Sequence, residues 1–330
     1  MNDVKLLSRF INFITNWRSL PLYELVSYIF MFASIPMIAY GIKPYNMDFL
    51  RLVLFTVITL YSGFFAALAW NDITDSDIDA LVHPERPIPS GRISIKIFFL
   101  IVSFFSFLTF LFSYLISFVC FAVALIAALF VGFHNKFLKR KIKIPAYSEI
   151  FTPLQWTVVG LFGYMAVWTT ISIESDIVFY IPFFNSISTS IHGIINLFLM
   201  VVFIYFTVGS HDLPEGIHDS EGDKKMGVMT YATSLGKKTA AKISFVLFIV
   251  SGLLGFLLFI RTTLSPFFLV AFFVVWSYTF YYFYNLIKID NIEKMKKFSL
   301  TVGRKGYNYF LLCFDLLFLD VLIQLLINNF

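Results

Sequence analysis

The sequence is short of charge, of cysteine and of any stretch that would fold in water, and each shortage excludes a class of protein. Only 14% of its 330 residues are Asp, Glu, Lys or Arg, against roughly a quarter in a soluble domain, while 59% are hydrophobic. Mean hydropathy is +0.82. No polar segment is long enough to fold as a nucleic-acid-binding module, so nucleic acid is excluded as a partner. Cys120 and Cys313 lie far apart inside apolar runs, which rules out a disulfide framework or thiolate metal site and leaves them as packing residues. The first 18 residues lack a small-residue cleavage site and do not read as a secretory signal. Leu6, Leu7, Phe10, Ile11 and Ile14 share one helical face, which predicts an interfacial helix in an N-terminal segment over residues 1–20. The 43 Phe residues carry little functional weight, because codon usage rich in Phe, Ile, Lys and Asn would produce them.

What is present is a succession of apolar runs of about 20 residues, the length that crosses a bilayer core. They fall near 22–42, 50–70, 97–115, 116–133, 149–170, 191–210, 243–260, 264–287 and 307–328. This predicts an all-α, polytopic membrane bundle of nine spans, with residues 21–330 forming one domain. The stretch 97–133 is too long for one helix, and Ser113 to Ser117 offers the turn. With the N-terminus in the cytoplasm, only Lys43, Arg51 and Arg261 of the 25 Lys and Arg residues fall outside. The net charge of +5 therefore reflects topology and contact with anionic headgroups of membrane lipids.

Two acidic clusters interrupt this background at span ends on the same, cytoplasmic face. In Asn71-Asp72-Ile73-Thr74-Asp75-Ser76-Asp77-Ile78-Asp79, helical geometry puts Asp72, Asp75 and Asp79 on one side with Asn71 beside them, and turns Asp77 elsewhere. Carboxylates crowded at a bilayer boundary need a neutralising partner. Mg2+ takes one or two protein carboxylates and fills its other positions with water and phosphate oxygens, so the cluster suits Mg2+ holding a diphosphate. A calcium loop is excluded, since Ala80 replaces its Gly and Arg86 its final Glu. A solvated acidic loop is the competing reading. The following stretch, His83 to Ser94, holds three Pro and a Gly and cannot be helical. It predicts a stiff loop returning Arg86 and Arg92 toward the carboxylates, to contact phosphate oxygens or to pair with Asp and Glu. Ser94 is placed to cap the next span. In the second cluster, Asp219-Ser220-Glu221-Gly222-Asp223, Asp219 and Asp223 lie one helical turn apart and can converge on one cation.

Asn71-Asp72-x-x-Asp75-x-x-x-Asp79 followed by Arg86-Pro87-Ile88-Pro89-Ser90-Gly91-Arg92 resembles the first signature of the UbiA superfamily of intramembrane prenyltransferases. Asp219 and Asp223, with Glu221, Gly222, Lys224 and Gly227, resemble its second. The resemblance runs from about Arg18 to Asn308, with specific motifs over 71–94 and 211–236. It implies nine helices around a central cavity, and Mg2+-dependent transfer of a polyprenyl group, preferably geranylgeranyl, from its diphosphate donor to a lipophilic acceptor. The preferred acceptor is geranylgeranylglyceryl phosphate in ether-lipid synthesis. Quinone-precursor or chlorophyllide-type acceptors, and a terpene cyclase, are the alternatives within the superfamily.

The implied catalytic residues are Asp72, Asp75, Asp79, Asp219 and Asp223, and the implied metal ligands Asn71, Asp75, Asp79, Asp219 and Asp223. Asn71, Arg86, Arg92, Lys139, Arg140 and Arg18 are the implied substrate-binding residues. Lys139 matches the Lys of the family's third polar segment, while His134 or Asn135 stands where a Tyr is common. Gly216 stands where archaeal members often carry an Asp; Asp212 and Glu215 are the candidate substitutes, and His211 and His218 are further possible ligands. An ion-coupled transporter is the alternative of another class. It requires carboxylates near mid-span, and Asp315 and Asp320 in the last span have such positions.

Overall fold

The computed structural model describes Trp17, residues 20–171, 176–180 and 186–328; Arg18 and the expected interfacial helix lie outside the described residues. In chain order the elements are α1 (Leu22–Tyr40), α2 (Met47–Thr74), α3 (Ser76–Val82), α4 (Ile95–Ile116) and α5 (Phe118–Phe133). A wide turn over His134–Leu138 leads to α6 (Lys139–Lys141) and α7 (Tyr147–Thr170). Strands β1 (Ile177–Phe179) and β2 (Ile187–Thr189) pair antiparallel with Ile177 opposite Thr189. The chain ends with α8 (Ile191–Met226), α9 (Tyr231–Leu235), α10 (Lys237–Arg261), α11 (Pro266–Lys288) and α12 (Ile292–Asn328).

Among the described residues nine helical stretches are long and apolar enough to cross a bilayer, as the hydropathy pattern predicts. The division of the long apolar stretch falls at Ser117, whose backbone is extended and whose Oγ accepts from the Cys120 amide at 3.1 Å, capping α5. Two spans run well past their apolar runs: α2 continues to Thr74 and α8 to Met226, so both carry acidic residues on helix beyond the hydrocarbon. Gly227, at φ +71°, ends α8 in the left-handed conformation that a Cβ disfavours, and the Val228 amide turns back to the Asp223 carbonyl at 2.9 Å.

Each span packs on the next in the chain and α12 returns to α1, closing a ring that α1–α7 and α8–α12 contacts cross. Lipid gives no hydrophobic reason for helices to associate, so close approach at small residues matters. A Cβ at Gly163 of α7 would lie 2.5 Å from Ile35 Cγ2 of α1. Helices α1, α2, α4, α5 and α7 surround a cavity of about 500 Å³. The half formed by α8, α10, α11 and α12 is filled by rings such as Phe248 stacked on Phe283 at 4.4 Å.

The acids of the last span have structural partners. Ser27 of α1 donates to Asp315 Oδ2 at 2.8 Å. Asp320 receives the Ser265 amide at 2.9 Å and its hydroxyl, and Gln324 at 2.8 Å, so it fastens the start of α11. Both mid-span carboxylates thus make contacts between helices, with Asp315 Oδ1 buried and without a hydrogen-bond partner. Cys120 and Cys313 are buried and unbridged, in keeping with packing roles.

Candidate active site

The first cluster is not one continuous helix. Asp75, at φ −101° and ψ 7°, separates α2 from α3, yet the shared face survives. The Asp75 amide still bonds the Asn71 carbonyl at 2.8 Å, and the Asp79 amide the Asp75 carbonyl at 2.8 Å. Asp72, Asp75 and Asp79 are buried, at 2%, 4% and 4% exposure. Each receives a donor from elsewhere in the chain. Trp17 Nε1 donates to Asp72 at 2.7 Å, Lys139 Nζ to Asp75 Oδ2 at 2.6 Å, and Arg86 Nη1 to Asp79 Oδ1 at 2.5 Å. Asp77 points outward as expected. Its two oxygens are gripped by the Arg140 guanidinium at 2.7 and 2.6 Å, which holds the carboxyl below the usual aspartate range. Arg140 also donates to the Thr74 carbonyl at 3.2 Å, strapping the turn after α5 to the end of α2.

The Pro-rich loop is non-helical, as its composition requires. Its two arginines part company, and among the described residues only one of them pairs with an acid. Arg86 reaches the carboxylates, whereas exposed Arg92 braces the loop itself through the Glu85 carbonyl at 2.5 Å and Ser90 Oγ at 3.1 Å. Ser94 occupies the N-cap of α4 but makes no capping bond through its side chain; its carbonyl receives the Ile97 amide at 3.0 Å.

The wide π-type turn, a feature often found at functional positions, places Lys139 against Asp75 and buries His134 and Asn135. The Gln155 amide lies 3.2 Å from His134 Nδ1, and Phe151 stacks on the imidazole at 4.3 Å. Asn71, His134, Asn135 and Lys139 lie together on the lining of the cavity, the rest of which is mostly apolar, with Phe64 and Trp156 5.6 Å apart and hydroxyls at Thr59, Ser106 and Thr109.

His83 joins the two clusters. Its Nε2 lies 3.9 Å from Asp219 Oδ2 and its Nδ1 3.4 Å from Glu85, and interaction with Asp219 raises the imidazole pKa above its ordinary value. Helix α3 packs on α8 at this point, so aspartates distant in sequence meet at one end of the bundle. On α8 the acids Asp212, Glu215, Asp219 and Asp223 follow one another at helical spacing. Among the described residues no Lys or Arg lies within ion-pair distance of any of them. Glu215 and His211 press into notches at Gly303 and Gly306 of α12, where a Cβ would come within 2.6 and 2.7 Å of them. His218 faces the Lys296 carbonyl at 3.3 Å, and Glu221 is exposed toward Lys237 and Lys296.

The space at Gly216 is filled neither by Asp212 nor by Glu215. Glu149, in the first turn of α7, lies there: a Cβ at Gly216 would stand 1.8 Å from its Oε1. The sequence signal was an acid at the start of an apolar span on the same membrane face, but helix rotation had to be known to use it.

Among the described residues no three His, Cys, Asp or Glu side chains already converge as a metal cage. The donor chemistry nevertheless suits a hard cation. Asp75 Oδ1 and Asp219 Oδ1 are buried carboxylate oxygens with no hydrogen-bond partner, and oxygen is what Mg2+ takes. The pattern of motifs, ring and cavity extends to known proteins: residues 28–308 match the UbiA prenyltransferase family. The chain belongs to that family.

UbiA relatives include the digeranylgeranylglyceryl phosphate synthase of Sulfolobus acidocaldarius, 30% identical over 200 residues, which are 60% of each chain. The synthase of the same name from Methanosarcina mazei is 30% identical over 210 residues, 62% of this chain and 61% of that one. The matched stretch thus spans about 60% of the length of these curated relatives. The UbiA fold is shared with the apo homolog from Aeropyrum pernix K1 at TM-score 0.59 and 17% identity, covering 87% of this chain and 96% of that one. A homolog from Archaeoglobus fulgidus bound to DMAPP and Mg2+ superposes at TM-score 0.57 and 15% identity, covering 90% and 98%.

Proposed function

We propose that this UbiA-family chain is a Mg2+-dependent intramembrane prenyltransferase, moving a polyprenyl group from its diphosphate to a lipophilic acceptor at the cytoplasmic face. One observation carries the proposal: a largely apolar cavity of about 500 Å³ ends at Asn71 and Lys139, where Lys139 holds Asp75 of the first cluster and lies within Coulombic reach of Asp223 of the second. A prenyl diphosphate has the same layout, an apolar chain ending in a concentrated anion.

In this reading the chain lies along the walls that include Phe64 and Trp156. The diphosphate meets the Lys139 ammonium and Arg86 guanidinium, groups suited to phosphate oxygens. Asn71, Asp75 and Asp79 on one side and Asp219 and Asp223 on the other would hold Mg2+, which when bound neutralises the diphosphate and makes it a better leaving group. As the allylic C–O bond breaks, diphosphate departs with the electron pair and the aromatic faces meet the developing cation. The apolar walls exclude water, which would otherwise capture that cation. The acceptor nucleophile closes the new bond and, if it is a hydroxyl, gives its proton to the released diphosphate. Asp72, held by Trp17, supports the carboxylate face, while Arg140 and Arg92 brace the elements that carry it.

The bound DMAPP of the Archaeoglobus homolog supports a prenyl diphosphate donor, and the names of the relatives support geranylgeranylglyceryl phosphate as acceptor. The Lys and Arg distribution supports a cytoplasmic site, and the closed ring of spans supports one domain over residues 21–330. The test is incubation of purified protein with radiolabelled geranylgeranyl diphosphate, Mg2+ and candidate acceptors. Labelled lipid is expected with geranylgeranylglyceryl phosphate and is lost in EDTA. Folded protein that releases no diphosphate from any prenyl donor would overturn the proposal.

A further inference from the structure

We infer that Glu149 is a further cation-binding carboxylate of this site, delivered by α7 to the acidic face of α8. The inference rests on the Mg2+ reading above. Glu149 is buried at 7% exposure, and its two oxygens have different surroundings. Oε2 accepts the Tyr231 amide at the start of α9. Neighbouring bonds fix the same junction: the Ser148 amide meets the Met229 carbonyl at 3.0 Å, and the Ala146 amide meets Ser234 Oγ at 3.1 Å. The carboxylate is therefore anchored on one side. Oε1, on the other, is buried without a hydrogen-bond partner and faces the bare backbone of Gly216.

That position is available only because residue 216 lacks a side chain. Asp212 and Asp223 lie within Coulombic reach of the Glu149 carboxylate, and among the described residues no Lys or Arg is within ion-pair distance of it. A buried carboxylate within Coulombic reach of two others, with one oxygen unsatisfied, is costly as an anion until a cation joins it. Purely structural service as an anchor for α9 would need Oε2 alone. The unpartnered oxygen, facing the helix that carries the second cluster, is the atom that a hard cation would use.

The test measures metal binding without substrate, using Mn2+ as the probe for full-length protein in detergent, read by electron paramagnetic resonance alongside melting in EDTA. Glu149→Gln keeps an acceptor oxygen for the Tyr231 amide. It should melt close to the parent in EDTA yet bind Mn2+ about tenfold or more weakly. Gly216→Asp alone should be destabilised by the clash with Glu149, whereas Glu149→Ala combined with Gly216→Asp should recover most of the Mn2+ affinity, with the carboxylate now coming from α8. Parent-like affinity in Glu149→Gln would overturn the inference and leave the Mg2+ reading standing. A loss of affinity that follows a fall in melting temperature and is not restored by the double variant would overturn it too, by making Glu149 structural. A parent protein that binds no Mn2+ would remove the Mg2+ reading together with this one.

Discussion

The carboxylates on α2 and α3 meet donors and cations supplied by the chain, whereas among the described residues Asp212 and Asp219 on α8 meet only histidines and Glu149 at the start of α7 only a backbone amide. Asp72, Asp75 and Asp79 have Trp17, Lys139 and Arg86. Asp212, Glu215, Asp219, Asp223 and Glu149 have no Lys or Arg at ion-pair distance among the described residues. A buried charge is tolerable when paired and costly when not. One half of the site is thus paired within the chain before any ligand arrives, while the other offers carboxylates that a cation can still engage. Binding and stability should therefore be coupled mainly through α8.

The sharpest test of this contrast neutralises one acid in each half. Asp75→Asn and Asp223→Asn should each lower prenyl transfer by on the order of 10²-fold or more, as expected when stabilisation of departing negative charge is lost. Their effects on the metal-free protein should have opposite signs. Asp75→Asn strands Lys139 and should cost about 2 kcal/mol, less than a fully buried pair because Lys139 is one-fifth exposed. Asp223→Asn relieves repulsion from Asp219 and should raise the melting temperature in EDTA. Shifts of the same sign would break the comparison.

Next in size is the effect of the ion itself. Mg2+ at about 100 times its Kd should stabilise the parent by about 2.7 kcal/mol, and this increment should shrink in Asp223→Asn. Melting curves with and without EDTA measure both. Trp17→Phe should cost about 1 kcal/mol through the lost bond to Asp72, with the ring packing on Phe98 largely kept. An unchanged melting temperature would remove Trp17 from the paired half.

The smallest effect belongs to the exposed Asp77–Arg140 fork, whose loss in Asp77→Asn should cost about 0.5 kcal/mol. Arg140 lowers the folded pKa of Asp77, so this stabilisation is present above the ordinary aspartate value of ~3.9 and fades as pH falls below it toward the folded value. The difference between parent and Asp77→Asn should therefore vanish in acid. A difference that grows there would mean the fork is not what stabilises this corner.

Much of the architecture was legible because its signals are local or summed. The Ser117 division could be read from length and one capping residue, and the non-helical loop from its prolines. Site details were less legible. Asn71 to Asp79 reads as one amphipathic segment, and nothing in its spacing announces a break at Asp75. Arg86 and Arg92 are chemically equivalent in sequence, yet one reaches Asp79 and the other the loop backbone. Glu149 carries no motif at all, and its relevance lies in the room that Gly216, lacking a side chain, leaves for it.

By itself the sequence determined the number of spans and where the acidic motifs interrupt them, because hydropathy accumulates over about twenty residues and tolerates local error. Only the tertiary structure decided which cation each carboxylate meets, which acids remain without one, and whose side chain covers Gly216. Those outcomes depend on the rotation and depth of one packed helix against another, to within the few ångströms over which a charge is either paired or left alone.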